Sequence, residues 1–440
     1  MSKHTQNPHT QALPPHYRWN FVAFMVDYIC FGLALTFASF STVMPSFVGE
    51  LTDSAPVIGL VDTVFNACWL LPQLGIARVI NDKPRRKPYM VAGLGGRVMF
   101  LVIALALWAG LARYPTAMLI VFFVCLGLFS LSDGLTSVAW FDIIARAIPL
   151  RRRGRLVGLS QVISGLAGAG VGVLVGQVLE QQPFPGNYAL LFALASAVLA
   201  PAAIALSLIR EPPIEDDDPP ADEQTQAQEK SNWAEILDNP AFRRVIACRI
   251  LVGMMGLCTS FYVVYAADEL HLPKSIIGTF VIAQTLSKVV ASAVMGVFSE
   301  RRGPRYVARI GSAAAMAGPL FALVVHIAAT RSPGASWLVR AYPFVYVAIG
   351  VVYSTWMLGF TNYLLEIAPD KMKPAYVGLG NTILGVLTLT PMIGGWLLQA
   401  TSYTVLFGTA AAITAVGFLL TLGLKPPRAP TLANQSADLS

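Results

Sequence analysis

The length of its apolar runs is what most limits how this chain can fold. From residue 20 onward, mostly uninterrupted stretches of about twenty residues or more alternate with short polar turns. No water-soluble core absorbs that much apolar chain. Of its residues, 55% are hydrophobic and 12% charged, whereas soluble domains carry about 25% charged residues. In hydrocarbon the backbone must satisfy its own hydrogen bonds, so only helices and closed barrels span it. Runs of this length fit helices and not the short alternating strands of a barrel. The reading is an all-α polytopic membrane protein held in a lipid bilayer.

About twelve spans follow from length and flanking residues: 20–45, 57–77, 89–112, 116–145, 156–180, 188–209, 242–267, 275–298, 307–329, 341–367, 376–400 and 403–424. An acidic, proline-rich linker separates the sixth from the seventh. Its first part has too few apolar residues to order itself, and residues 232–237 read as a short amphipathic helix on the membrane surface. The organisation expected is therefore a tail over 1–19, a six-helix bundle over 20–209, the linker over 210–240, a second six-helix bundle over 241–424 and a tail over 425–440. Basic residues gather on one side. Lys83, Arg85, Arg86 and Lys87 fall in one turn, and Arg301, Arg302 and Arg305 in another. By the positive-inside rule that side is cytosolic, which puts both termini in the cytosol and the chain in a plasma (inner) membrane. The net charge of +7 is spent on these turns, so it points to orientation and not to nucleic acid. The five cysteines all lie in apolar runs and read as free thiols.

The two halves repeat one another. Pro149 to Gly158 and Pro369 to Gly378 share a proline, a base four residues later and a closing Val-Gly, and each opens a glycine-rich helix. Asp82 stands opposite Glu300 in the two basic turns. Two six-helix repeats about an axis normal to the membrane follow from this. Asn81-Asp82-Lys83-Pro84-Arg85-Arg86-Lys87 resembles the loop between helices two and three of the major facilitator superfamily, G-x-x-x-D-R-x-G-R-R. Pro149-x-x-x-Arg153-Gly154-x-x-x-Gly158 resembles that family's loop between helices four and five. Thr390-Pro391-x-x-Gly394-Gly395 resembles the G-P-x-x-G-G signature of its drug and solute proton antiporters, displaced here to the eleventh span. The antiporters' helix-four pattern, R-x-x-Q-G, falls on Ser130 to Gly134 without its arginine. The resemblance implies a secondary transporter working by alternating access. It also implies that Asp82 docks on helix ends of the opposite half in one conformation only.

Four charges lie within apolar runs: Asp27, Asp133, Lys288 and Arg249. Such a charge costs roughly 2.5–3.5 kcal/mol on insertion scales, so it pairs with a partner or lines water. One reading is local structural ion pairs. The sharper one is that Asp27 or Asp133 binds the coupled proton or a cationic substrate, with Lys288 or Arg249 as counter-charge. A desolvated carboxyl without a partner favours its neutral form, as proton exchange requires. Tyr28, Asn66, Trp69, Gln161, Gln284, Trp356 and Asn381 are the polar and aromatic residues that could line a cavity. Asp82, Arg85, Arg86, Asp142, Arg153, Gly154, Gly158, Glu300, Arg301 and Arg305 read as parts of a conformational gate. Asp142 and Arg146 are spaced to pair on one helix face, and Asp62 reads as a gate or interface ion pair. Arg97, about two turns into its span, is expected to snorkel to the interface. Gly168, Gly172 and Gly176 form a stripe that lets helices pack closely.

No catalytic constellation, nucleotide loop or metal-ligand spacing is present in the sequence, so no enzyme activity or cofactor is expected and transport has to draw on a gradient. The function expected is proton-coupled export of a small organic solute by a monomeric carrier. Uptake of a sugar or organic acid is the alternative within that class, and a non-transporting membrane sensor or scaffold the alternative outside it.

Overall fold

The computed structural model of the protein describes residues 14–81, 83, 85–213, 233–331, 336–369 and 372–426. Twelve long helices run through these residues. In the first half they are α1 Tyr17–Phe37, α2 Ala55–Asn81, α3 Lys87–Trp108, α4 Pro115–Ala147, α5 Leu150–Gln181 and α6 Gly186–Ser207. In the second half they are α7 Pro240–Asp268, α8 Ile276–Arg302, α9 Pro304–Arg331, α10 Phe344–Ile367, α11 Ala375–Ala400 and α12 Tyr403–Leu422. Among the described residues eleven helices are long and apolar enough to cross a membrane, and α2 has a shorter apolar part, Ala55–Leu71.

Several boundaries differ from the sequence reading by four residues or more, the fifth helix starting at Leu150 and not at 156, and two of them have a clear local cause. The first span ends at Phe37 and not at residue 45. A short helix, Val43–Gly49, follows after a break. The break falls on Ser39-Phe40-Ser41-Thr42, whose hydroxyls offer the backbone and each other alternative hydrogen bonds; Ser39 and Ser41 hydroxyls lie 3.2 Å apart. The third span stops at Trp108, because Gly110 turns into the left-handed region at φ 84° and Pro115 then starts α4. In the linker, residues 233–238 are helical and Ile236 is fully buried, while Trp233 and Leu237 are exposed.

Each half packs in the same pattern. α1 lies against α6, α2 against α4, and α3 against α4 and α6; correspondingly α7 lies against α12, α8 against α10, and α9 against α10 and α12. The result is two six-helix bundles. Phenylalanines fill the first core, with Phe47 packed on Phe122 and Phe192. Tyrosines are prominent in the second, where the Tyr342 hydroxyl donates to the Tyr262 carbonyl at 2.9 Å.

The halves meet through α2 with α11 and α5 with α8. Both seams are tight at the end away from the basic turns. A Cβ on Gly278 of α8 would stand 2.7 Å from the Gly176 nitrogen of α5, and one on Gly395 of α11 would stand 2.5 Å from the Ala55 carbonyl of α2. Thr390–Gly395 is thus a packing surface. Along the same face of α5, Gly154 and Gly158 meet nothing, nor does Gly296 on α8. The two helices are pinned at one end and part at the other. At the pinned end Lys274 pairs with Glu50 across the halves. Gly278→Val should therefore push the halves apart there: spin labels on the ends of α5 and α8 would read a longer, broader distance than in the parent protein, and an unchanged distance would mean that small-residue packing does not set the closure.

Candidate functional site

A cavity of about 430 Å³ lies between the halves, within the size range of small-molecule sites. It is closed toward the pinned end by two contacts across the seam. The Ser41 hydroxyl donates to Gln284 Oε1 at 2.9 Å, and Phe40 packs on Tyr353 with ring centroids 6.4 Å apart. The break after α1 matters here, since it is what turns Phe40 and Ser41 toward the second half.

The first half supplies a charged cluster. Gly93 and Gly96 let α3 close on α4 at Ser132 and Thr136; a Cβ on Gly93 would stand 2.5 Å from the Ser132 carbonyl. That approach carries Arg97 into the bundle. Its Nη2 donates to Asp27 Oδ1 at 2.8 Å, both side chains being 7% exposed, and its guanidinium lies over the Phe31 ring. Trp140 Nε1 donates to the other oxygen, Asp27 Oδ2, at 3.0 Å. The expectation that Arg97 snorkels out is corrected: close helix packing holds it buried on a carboxylate. One turn further along α4 from Phe129, Asp133 Oδ2 accepts from Trp69 Nε1 at 3.0 Å, and Asp133 has no ion-pair partner among the described residues. The second half contributes Lys288 from α8, likewise without an ion-pair partner among the described residues. Tyr28 and Gln161 also line the cavity and bond each other, Gln161 Nε2 donating to the Tyr28 hydroxyl at 3.1 Å.

The other sequence candidates lie elsewhere. Arg249 is 3% exposed on α7, stacked 5.2 Å from the Trp356 ring centroid, with no hydrogen-bond partner for Nε or Nη1 among the described residues. Trp356 opens a π-helical turn, Trp356–Thr361, in α10. Neither lines the cavity, nor do Asn66 and exposed Asn381. Asn66 donates instead to Asp62 Oδ1 at 2.5 Å, so buried Asp62 rests on an amide and makes no ion pair among the described residues.

At the basic end the first half is laced by charge. Arg86 pairs with Asp142, and Arg146 Nε and Nη2 bond Asp142 Oδ2 at 3.0 and 2.5 Å, as the four-residue spacing leads one to expect. Sequence reasoning missed the next member, Glu211. It accepts from Arg146 at 3.0 Å and from the backbone nitrogens of Arg86 and Lys87 at 2.8 and 3.1 Å, capping the start of α3. The signal was there: an acid two residues after the sixth span, before two prolines. Arg153 donates to the Ile148 and Ala145 carbonyls, closing the end of α4. Arg85, Glu300 and Arg301 are exposed, and Arg305 stacks on Tyr306 at 4.7 Å. Asp82 lies outside the described residues.

The family model described as Major Facilitator Superfamily matches residues 28–383 and 245–438. No curated protein matches the sequence. Solved structures do resemble the fold. A nucleoside transporter, NupG, superposes with a TM-score of 0.68 at 12% identity, over 92% of this chain and 100% of its own. A bacterial homologue of the iron transporter ferroportin in an inward-facing state gives 0.68 at 12% identity, over 92% and 98%. The xylose transporter XylE from E. coli, in a partially occluded inward-open conformation, gives 0.64 at 13% identity, over 95% and 100%. At such identities the likeness is one of fold.

Proposed function

The chain belongs to the Major Facilitator Superfamily, and from that premise we propose that it is a secondary transporter that exports a small organic solute in exchange for protons. With the basic turns in the cytosol, the opening between α5 and α8 faces inward, and Phe40, Tyr353, Glu50 and Lys274 form the closed outer gate. This agrees with the inward-facing descriptions of two structural neighbours. Rocking the halves about the cavity would open that gate and close the cytosolic side. There the network of Arg86, Asp142, Arg146 and Glu211 would dock against the second half, as the family resemblance implies for Asp82.

The observation that carries the reading is Asp133. It is a carboxylate in a cavity between the halves, bonded by one indole, with no ion-pair partner among the described residues. A proton and a cationic group of the solute compete for such a site. That competition is an exchange mechanism, because each ligand lowers the affinity of the other. Aromatic walls suit an amphipathic solute. One chain contains both halves, so a monomer is sufficient. The test is reconstitution of the full chain into liposomes enclosing a pH dye, with an imposed pH gradient and a library of amphipathic organic cations and zwitterions. Antiport is expected to appear as proton movement opposite in direction to the solute and dependent on it. Proton and solute moving together would instead identify an uptake symporter, and solute movement that leaves the dye unchanged would remove proton coupling.

A further inference from the structure

The charges of the cavity do not balance within either half. Of its four charged side chains, Asp27 and Arg97 neutralise one another at 2.8 Å. Two are left, and they belong to different halves: Asp133 on α4 and Lys288 on α8. Among the described residues neither forms an ion pair, with the other or with any other group. Arg249, the other intramembrane cation, is buried against Trp356 outside the cavity and compensates neither. The lining also carries aromatic side chains, among them Phe31, Phe40, Trp69 and Tyr353, beside small and uncharged polar groups such as Thr36, Ser137 and Thr285.

We propose that the substrate is a zwitterion, with its ammonium on Asp133, its acidic group on Lys288 and an apolar or aromatic body between them. Asp133 is half-buried and Lys288 is exposed to the cavity; an unpaired charge there loses its water when the halves close, and a ligand group of opposite sign relieves that penalty. A simple cation satisfies Asp133 but faces Lys288 with a like charge. A simple anion satisfies Lys288 and is repelled by Asp133. Only a ligand bearing both groups removes both penalties. Because the two charges sit on opposite halves, that ligand also ties the halves together, and so favours closure around itself over an empty closed state. A volume of about 430 Å³ suits molecules on the scale of an aromatic amino acid or a short peptide. The inference rests on the transporter reading above, but it concerns equilibrium binding and needs no gradient.

The experiment uses the full chain in lipid nanodiscs and two matched probe series, each measured by calorimetry. One is phenylalanine, its amide (a cation) and its N-acetyl derivative (an anion). The other is phenylalanyl-alanine with the same two modifications, which sets the charges further apart. In at least one series the zwitterion is expected to bind about 10-fold or more tighter than both singly charged forms, the size of one charge-assisted hydrogen bond. Lys288→Gln should weaken the zwitterion about 10-fold and leave the amide as tight as before or tighter, since a like charge is removed, while Lys288→Arg keeps the preference. An amide that binds as tightly as its zwitterion overturns the proposal, as does the absence of binding by both zwitterions or a zwitterion indifferent to Lys288→Gln. Should Lys288→Gln fail to fold, the comparison of probes on the parent protein and on Lys288→Arg decides. If zwitterions bind but drive no proton movement in liposomes, the substrate class stands and the antiport reading falls.

Discussion

Asp133→Asn is expected to reduce solute movement driven by a pH gradient to the level of protein-free liposomes, while leaving the protein folded. The side chains are nearly isosteric, and the asparagine oxygen can still accept from Trp69 Nε1, which lies 3.0 Å from Asp133 Oδ2. What is lost is the charge and the exchangeable proton. A cationic solute group should lose one charge-assisted hydrogen bond, about 1.5–3 kcal/mol, or roughly 10- to 100-fold in affinity. Coupling should vanish altogether, because among the described residues no other carboxylate in the cavity is without a cation: Asp27 already holds Arg97. The measurement is dye-reported proton flux against solute flux in the variant, alongside its thermal midpoint. An Asp133→Asn protein that still moves protons in step with solute would falsify the assignment and move the coupling site to Asp27.

The second large effect concerns Asp27 and Arg97, each 7% exposed at the side chain. Removing one partner of a buried pair leaves an uncompensated charge and typically destabilises by about 3–5 kcal/mol. Arg97→Met should therefore lower the thermal midpoint sharply, with Trp140 left as the one side-chain hydrogen-bond donor to Asp27 among the described residues. Asp27→Leu should do likewise. The double variant Asp27→Leu/Arg97→Met should recover most of the loss, since a buried pair replaced by apolar groups of similar size is often neutral. A double-mutant cycle in nanodiscs measures this coupling. Strictly additive losses would mean that the two charges do not act as a pair, and the charge balance of the cavity would have to be redrawn.

Much of the architecture is legible in the residues alone. Apolar run length and the placement of basic turns lead to twelve helices in two repeats, because hydrocarbon leaves the backbone few options. The intramembrane charges stand out, since placing a charge there is costly. Asp142 and Arg146 are readable as a pair because helical spacing is local. The corrections at the site have one source, in that they depend on which helix lies beside which. The depth of Arg97 in its span suggests snorkelling, and Gly93 and Gly96 carry no distinctive pattern; together they bring α3 onto α4 and the guanidinium onto Asp27. Arg249 reads as a counter-charge for the aspartates, yet it lies against Trp356 outside the cavity, and the cation on Asp27 is Arg97. Glu211 joins a network with residues more than 60 positions away in sequence.

The sequence by itself thus determined the class, the number of helices, the repeat and the short list of charges, because each of these is a property of one segment against its solvent. Only the tertiary structure decided which charges cancel and which face the cavity alone. Ion pairing falls off within a few ångströms, and helices that meet at that distance are set by small-residue packing between segments far apart in the chain. Asp133 and Lys288 are significant for that reason: each is visible in the sequence as a charge within an apolar run, but the absence of an ion-pair partner among the described residues is a fact about the neighbours that folding gave them.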